Sequence, residues 1–244
     1  MIRPLFLFDI DGTLVLTGRA GVRGMNVAFE QLYGHAQALD EVPIAGRTDR
    51  AIVTEVLRAI GRDPSDAEVD RLRQAYVTHL ATEIRRPASH PSHVLPGVEA
   101  LLDRLQARGA LPVGLLTGNF ARGAAIKLGH FGLRDRFAFG AFGDDHLDRR
   151  DLVPVALAAA RASGVNVRSA SELIVIGDTP LDVECAHAHG ARAVGVATGP
   201  YSTAELAAAG ADLALHTLED ADRLLEWADE GGGSPWESNP PFPR

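Results

Sequence analysis

The chain has 244 residues, 46% hydrophobic and 23% charged, enough to bury the core of one large or two modest domains. Its net charge of −8 argues against nucleic acid and against an anionic membrane as partners, because both attract clustered positive charge, and no apolar run approaches the roughly 20 residues of a membrane helix. The single cysteine, Cys185, excludes an internal disulfide and Met1-Ile2-Arg3-Pro4 carries no signal-peptide pattern, so a cytoplasmic protein is expected.

Leu5 to Phe8 is a short apolar run of the kind that forms a buried strand in a parallel sheet. It leads into Asp9 and Asp11, which lie two apart and so point the same way from an extended chain. Gly12 then permits a sharp turn and a close approach to a ligand. Two like charges in one small site require a neutralising cation, or an acid and a base with different duties, or both.

Residues 16–90 read as helical throughout. Residues 20–33 carry Val22, Met25, Phe29 and Leu32 at helical spacing, with Gly34 as the stop. Thr48 or Asp49 caps a second helix holding Ile52, Val53, Val56 and Leu57, which Gly61 ends. Ser65 and Glu68 read as a capping box for a third helix with Val69, Leu72, Tyr76, Leu80 and Ile84 on one face. His90-Pro91-Ser92-His93 is a stiff, polar connector. A helical block inserted after one strand is a candidate second domain.

From Val94 onward helices and strands alternate. Pro96-Gly97 opens a helix that ends at Gly109, and strands are expected at 111–116, 137–142, 173–176, 193–197 and 213–215. Helices are expected between them at 121–131, 153–163, 181–189 and 203–209, with a last one at 218–228. This pattern predicts an α/β fold, a Rossmann-like parallel sheet with helices on both faces, plus the inserted helical region. Ligands in such sheets sit beyond the carboxyl ends of the strands, which gathers Asp9/Asp11, Thr117/Asn119 and Asp178/Asp182 at one edge. Residues 231–244, rich in Gly, Pro, Ser and Asn, are expected to form a disordered tail.

Thr117 offers a hydroxyl at that edge, and the backbone N–H groups around Gly118 and Asn119 can approach an anion closely. Asp178 and Asp182 are four apart. If Pro180 starts a helix, Asp182 lies in its first turn and can point back to the strand end; helix capping is the other use for this pair. Four carboxylates around one point suit Mg2+, a hard cation that takes oxygen ligands. Cys185 is expected to be a small core residue behind the site.

Asp9-Ile10-Asp11-Gly12-Thr13 after an apolar strand resembles the first motif of the haloacid dehalogenase superfamily. Leu115-Leu116-Thr117-Gly118-Asn119 is similar to the second motif, and Gly177-Asp178-Thr179-Pro180-Leu181-Asp182 looks like the fourth. The resemblance extends to about residue 228, and the helical insert corresponds to the C1 cap of many members. It implies a core domain of residues 1–15 and 91–230, and a cap of 16–90. The third motif departs, because the family usually has Lys where this chain has Asp148-Arg149-Arg150-Asp151-Leu152-Val153-Pro154. Counting back from Pro154 puts Arg149 in the Lys place and Arg150 next to it; Lys127, in the preceding helix, is the other conceivable substitute. Arg clamps phosphate oxygens bidentately but is not equivalent to Lys.

The resemblance implies a phosphatase of a small phosphomonoester metabolite, working as a monomer or homodimer. Asp9 would be the nucleophile and Asp11 the acid and base. Mg2+ would be held by Asp9, the Asp11 backbone carbonyl and Asp178, with Asp182 as ligand or support, while Thr117 and Arg149 hold the phosphoryl oxygens. Asp11 argues against a dehalogenase, which needs only the first Asp. A phosphomutase of the β-phosphoglucomutase type is the alternative, and a non-catalytic binding module a more distant one. Gly46-Arg47-Thr48-Asp49 resembles a loop of phosphoglycolate phosphatase-like members, where Arg47 would contact the far end of the substrate. Val15-Leu16-Thr17-Gly18 lacks the Asp-Ser that commonly follows the first motif, so the substrate stays open.

Overall fold

In the computed structural model, which describes residues 4–87, 89–108 and 113–230, β1 (Leu5–Phe8) leads through a turn to β2 (Val15–Thr17) and three helices. These are α1 (Ala20–Tyr33), α2 (Asp49–Ala59) and α3 (Asp66–Glu83). The chain returns through β3 (Ser92–Val94), α4 (Val98–Ala107), β4 (Gly114–Leu116), α5 (Ala121–His130) and β5 (Phe139–Ala141). Then follow α6 (Leu152–Ala162), β6 (Leu173–Gly177), α7 (Pro180–His187), β7 (Arg192–Val196), α8 (Thr203–Ala208), β8 (Leu213–Leu215) and α9 (Ala221–Asp229).

Among the described residues the main sheet has six strands in the order β5-β4-β1-β6-β7-β8, all parallel. β1 sits in the middle, Phe8 paired with Leu115 on one side and with Ile176 on the other. The two-residue period of a strand divides the core. Phe6 and Phe8 pack with Val98, Leu101 and Leu105 of α4 and Leu224 of α9. Leu5 and Leu7 face the opposite layer with Val153 and Ala156 of α6 and Val183 of α7. The architecture is the expected Rossmann-like sheet with flanking helices and an inserted helical cap region.

That region has its own core, built from Phe29 of α1, Val53, Val56 and Leu57 of α2, and Leu72, Tyr76 and Leu80 of α3. One side chain of the sheet domain joins it. Phe120, just beyond β4, is fully buried there, its ring 6.2 Å from that of Tyr76. α1 and α3 meet closely at Gly24, where a Cβ would lie 3.1 Å from the Leu80 backbone nitrogen.

Several expectations are corrected. Residues 16–90 are not helical throughout, and residues 90–93 are not a bare connector: β2 and β3 pair antiparallel, Val15 opposite Val94 and Thr17 opposite Ser92. The outgoing and returning chains leave the sheet side by side, so their backbone groups satisfy one another. The capping box at α3 is half formed. Ser65 Oγ accepts from the Glu68 N–H, but the Glu68 carboxylate takes the Tyr33 hydroxyl at 2.6 Å instead of turning back. The strand expected at 111–116 is described as Gly114–Leu116; residues 111 and 112, the expected stop at Gly109 and the tail at 231–244 lie outside the described residues.

Candidate active site

The carboxyl edge of the sheet is where the chemistry-bearing residues meet. Asp9 follows β1 directly and is held in the ladder by its N–H, which donates to the Ile176 carbonyl at 2.9 Å. The chain then turns at Gly12, whose φ of 81° is a left-handed conformation that glycine adopts freely. A Cβ there would collide with the Asp178 carboxylate, as would one on Gly199 after β7. Asp178 is thus gripped between two bare stretches of backbone, with Thr13 Oγ1 donating to its Oδ1 at 3.3 Å. Pro180 opens α7, so Asp182 stands in the first turn and faces back. Its Oδ2 accepts from the Thr179 N–H at 3.0 Å and from the Thr179 hydroxyl at 2.7 Å.

Oxygens of Asp9, Asp178 and Asp182 all lie within 4.8 Å of one another, and the three residues are buried. Burial pushes the Asp9 carboxyl up to about 6, with Arg149 opposing and Asp182 adding to the rise. Burial, then the charges of Asp182 and Asp9, push Asp178 up as well. The protein cation among them is Arg149, 6% exposed. Its Nη2 lies 2.5 Å from Asp182 Oδ1 and 3.2 Å from Asp9 Oδ1, and its Nη1 donates to the Gly46 carbonyl at 2.9 Å. Burial works against the Arg149 charge, but Asp182 and Asp9 outweigh it and hold the guanidinium ionised. Arg150, the neighbouring candidate, points away: it is exposed and clasps Asp148 and Glu184.

Three buried carboxylates against one guanidinium leave negative charge uncompensated, and Asp9 Oδ1 has no hydrogen-bond partner among the described residues. Buried charge without a partner is costly. A compact all-oxygen set of this kind fits a hard divalent cation such as Mg2+.

Asp11 stands at the other side of the site with 42% of its side chain exposed. Asn119 Nδ2 donates to Asp11 Oδ2 at 2.9 Å and to Thr117 Oγ1 at 2.8 Å. Thr117 is fully buried. Above these groups opens a cavity of about 520 Å³, lined on the sheet side by Asp9, Asp11, Asn119 and Arg149 and on the cap side by apolar residues such as Met25, Ile44 and Ile52. Gly118 and Arg47 also line it. The Arg47 guanidinium is engaged with Glu55 at 2.6 Å and with the Pro43 carbonyl. Gly118 lies under the Arg47–Thr48 backbone so closely that a Cβ would collide with it.

Two further residues reach the site in places the motifs do not give them. Lys127 of α5 is buried, and its Nζ donates to Asp11 Oδ2 and to Asn119 Oδ1, each at 2.6 Å. It is the one lysine among 24 Lys and Arg residues, and that scarcity is the signal that marks it. Asp49, the first residue of α2, accepts from the Phe120 N–H at 2.8 Å, and burial pushes its carboxyl up to about 6 although Lys127 opposes the rise. Cys185 is a core residue behind the site whose Sγ donates to the Arg149 carbonyl, and burial pushes its thiol up to about 12.

Comparison with known proteins finds similar chains. Residues 4–190 match the family of haloacid dehalogenase-like hydrolases. The phosphoglycolate phosphatase of Rhodospirillum rubrum is 32% identical over 231 residues, 91% of this chain and 89% of that protein. The phosphoglycolate phosphatase of Chromobacterium violaceum is 30% identical over 220 residues, 90% and 95% of the two chains. Among solved structures, a predicted phosphatase from Clostridium acetobutylicum superposes with a TM-score of 0.67 at 22% identity, covering 93% of this chain and all of its own.

Proposed function

The chain belongs to the haloacid dehalogenase-like hydrolases, and from that footing we propose that it is a Mg2+-dependent phosphatase of a small phosphorylated metabolite, with phosphoglycolate the first candidate. Its aspartate cluster is that of a phosphoric monoester hydrolase. The observation that carries the reading is the trio Asp9, Asp178 and Asp182 packed against Arg149 at the mouth of the cavity. We take residues 1–15 and 91–230 as the core and 16–90 as the cap over it.

In this reading an Asp9 carboxylate oxygen attacks phosphorus, the bond from phosphorus to the alcohol oxygen breaks, and Asp11 gives that oxygen its proton. A water then attacks the aspartyl-phosphate and gives a proton to Asp11, and the bond from phosphorus to Asp9 breaks to release phosphate. Thr117, buried at the end of the second strand-end motif and tied to the Asn119 amide, would hold a phosphoryl oxygen. Arg149 offers charge to the phosphoryl oxygens, and the Gly118 and Asn119 backbone flanks them. Asp9, Asp178 and the Asp11 backbone carbonyl would hold Mg2+. Asp182, whose oxygens also take Arg149 and Thr179, would be a further ligand or a support. Bound there, the ion supplies charge that offsets repulsion between the carboxylates and the substrate phosphate. Arg47 is the cap residue that would meet the far end of the substrate.

Phosphoglycolate is favoured by the relatives from Rhodospirillum rubrum and Chromobacterium violaceum, which carry that activity in their names. The test is phosphate release from a panel of phosphoglycolate, glycerol phosphates, sugar phosphates and p-nitrophenyl phosphate, with Mg2+ and with EDTA. Release that peaks on one alkyl monoester supports the reading. Interconversion of sugar phosphates without net release would replace it with a mutase.

A further inference from the structure

We propose that Lys127 is the positioning residue for proton transfer by Asp11: its ammonium and the Asn119 amide converge on one carboxylate oxygen and leave the other to the substrate. The inference rests on the phosphatase reading above and goes beyond it, since Lys127 lies outside the strand-end motifs.

Both bonds fall on Asp11 Oδ2, from Lys127 Nζ at 2.6 Å and Asn119 Nδ2 at 2.9 Å, and among the described residues none falls on Oδ1. Lys127 also donates to Asn119 Oδ1 at 2.6 Å, so the three side chains close a ring. Charge-assisted bonds of this kind are short and directional, and they remove the rotation that a half-exposed aspartate otherwise keeps.

Lys127 also faces the buried Asp49 carboxylate, but its direct ion pair is with Asp11. Asp11 is 42% exposed on its side chain and could be satisfied by water, whereas Lys127 is only 6% exposed on its own. A charge on that buried face of α5, among Gly123, Ala124 and Leu128, is costly unless paired. An apolar residue would serve packing better.

The choice of lysine is also informative in a chain that otherwise uses arginine. Nζ is enclosed by the cap. A Cβ on Gly21 of α1 would lie 3.3 Å from it and 3.6 Å from the Tyr76 hydroxyl of α3. A compact ammonium can turn its three donors toward Asp11 and Asn119 together, whereas a guanidinium presents a fixed planar fork. The acid of the sheet domain is therefore held by a group whose seat is completed by the cap.

The test uses leaving groups. Expulsion of p-nitrophenolate needs little help from an acid, whereas an alkoxide must be protonated as it leaves. Values of kcat/KM report the step that expels the alcohol, so they are compared for p-nitrophenyl phosphate and for the best alkyl monoester of the panel. Lys127→Met is expected to lose about 10²-fold on the alkyl monoester and less than about threefold on p-nitrophenyl phosphate, and Lys127→Arg is expected not to rescue it. Equal losses on both substrates, or no loss, would overturn the proposal while leaving the phosphatase reading intact. If Lys127→Met does not fold, Lys127→Gln carries the same comparison. Wild-type protein that releases no phosphate, or Asp9→Asn that still releases it, refutes the reading itself and the proposal with it.

Discussion

Arg149 and Arg150 are adjacent in sequence and opposite in circumstance. Arg149 is buried between Asp9 and Asp182, whereas Arg150 is exposed with Asp148 and Glu184. Removing one partner from a buried ion pair strands the other charge, at a cost of about 3–5 kcal/mol. Arg149→Ala is therefore expected to lower stability by that order in a denaturant titration and to abolish turnover, while Arg150→Ala changes stability by less than about 0.5 kcal/mol. Asp9 shares the pH behaviour with Asp49 and Asp178, all three carboxyls being pushed up by burial. Burial raises the Asp9 carboxyl from 3.8 to about 6, so the fold resists its ionisation, and Asp178 is shifted the same way. Stability from this source is full below the unfolded value and is lost as pH rises through 6, about 3 kcal/mol for Asp9 alone. In EDTA, Tm should fall between pH 4.5 and pH 7, and Mg2+ should restore more at pH 7 than at pH 5. A Mg2+ increment that does not grow with pH would contradict this.

At the scale of elements, the seam between cap and sheet joins the face of α3 against α5 to a set of loop contacts. The Asp49 N–H donates to the Gly118 carbonyl at 2.7 Å, Asp49 Oδ2 accepts from Phe120, and Arg73 of α3 pairs with Asp144 at 2.9 Å. Gly118→Ala would drive a methyl into the Arg47 backbone. It should lift the cap, raising KM and lowering kcat together, with the two apolar layers around the sheet left folded by far-UV circular dichroism. Thr48 caps α2 by accepting from the Ala51 N–H at 3.1 Å, and Thr48→Ala should cost about 1 kcal/mol. The strand ends were legible beforehand because they are local: an apolar run, a carboxylate at a set distance and a glycine occur together within a few residues. The β2–β3 ribbon was not, since its partners are some 75 residues apart in sequence and each half taken alone is three residues long. The role of Lys127 beside Asp11 is hidden in the sequence for the same kind of reason. Its place at Asp11 depends on how α5 docks beneath the cap, which no spacing along the chain encodes. The direction of the Arg47 side chain, drawn to Glu55, is likewise a product of packing.

Taken whole, the molecule is a parallel sheet whose middle strands end in carboxylates, closed above by a helical insert that supplies the cavity's apolar wall. No described helix is long and apolar enough to cross a membrane. The sheet brings together three motifs from distant parts of the chain, and the insert adds Gly21, Asp49 and Tyr76 around Lys127, so the two parts complete one site. The central claim is that Asp9 is the atom donor to phosphorus with a divalent cation beside it. The direct measurement is phosphate release by wild-type protein and Asp9→Asn on the same monoester panel, with Mg2+ and with EDTA. The account predicts release by the wild type in Mg2+ only, and a loss of at least about 10³-fold in Asp9→Asn although the variant stays folded. Release that persists in Asp9→Asn, or a folded wild type that hydrolyses no monoester with Mg2+, would contradict it.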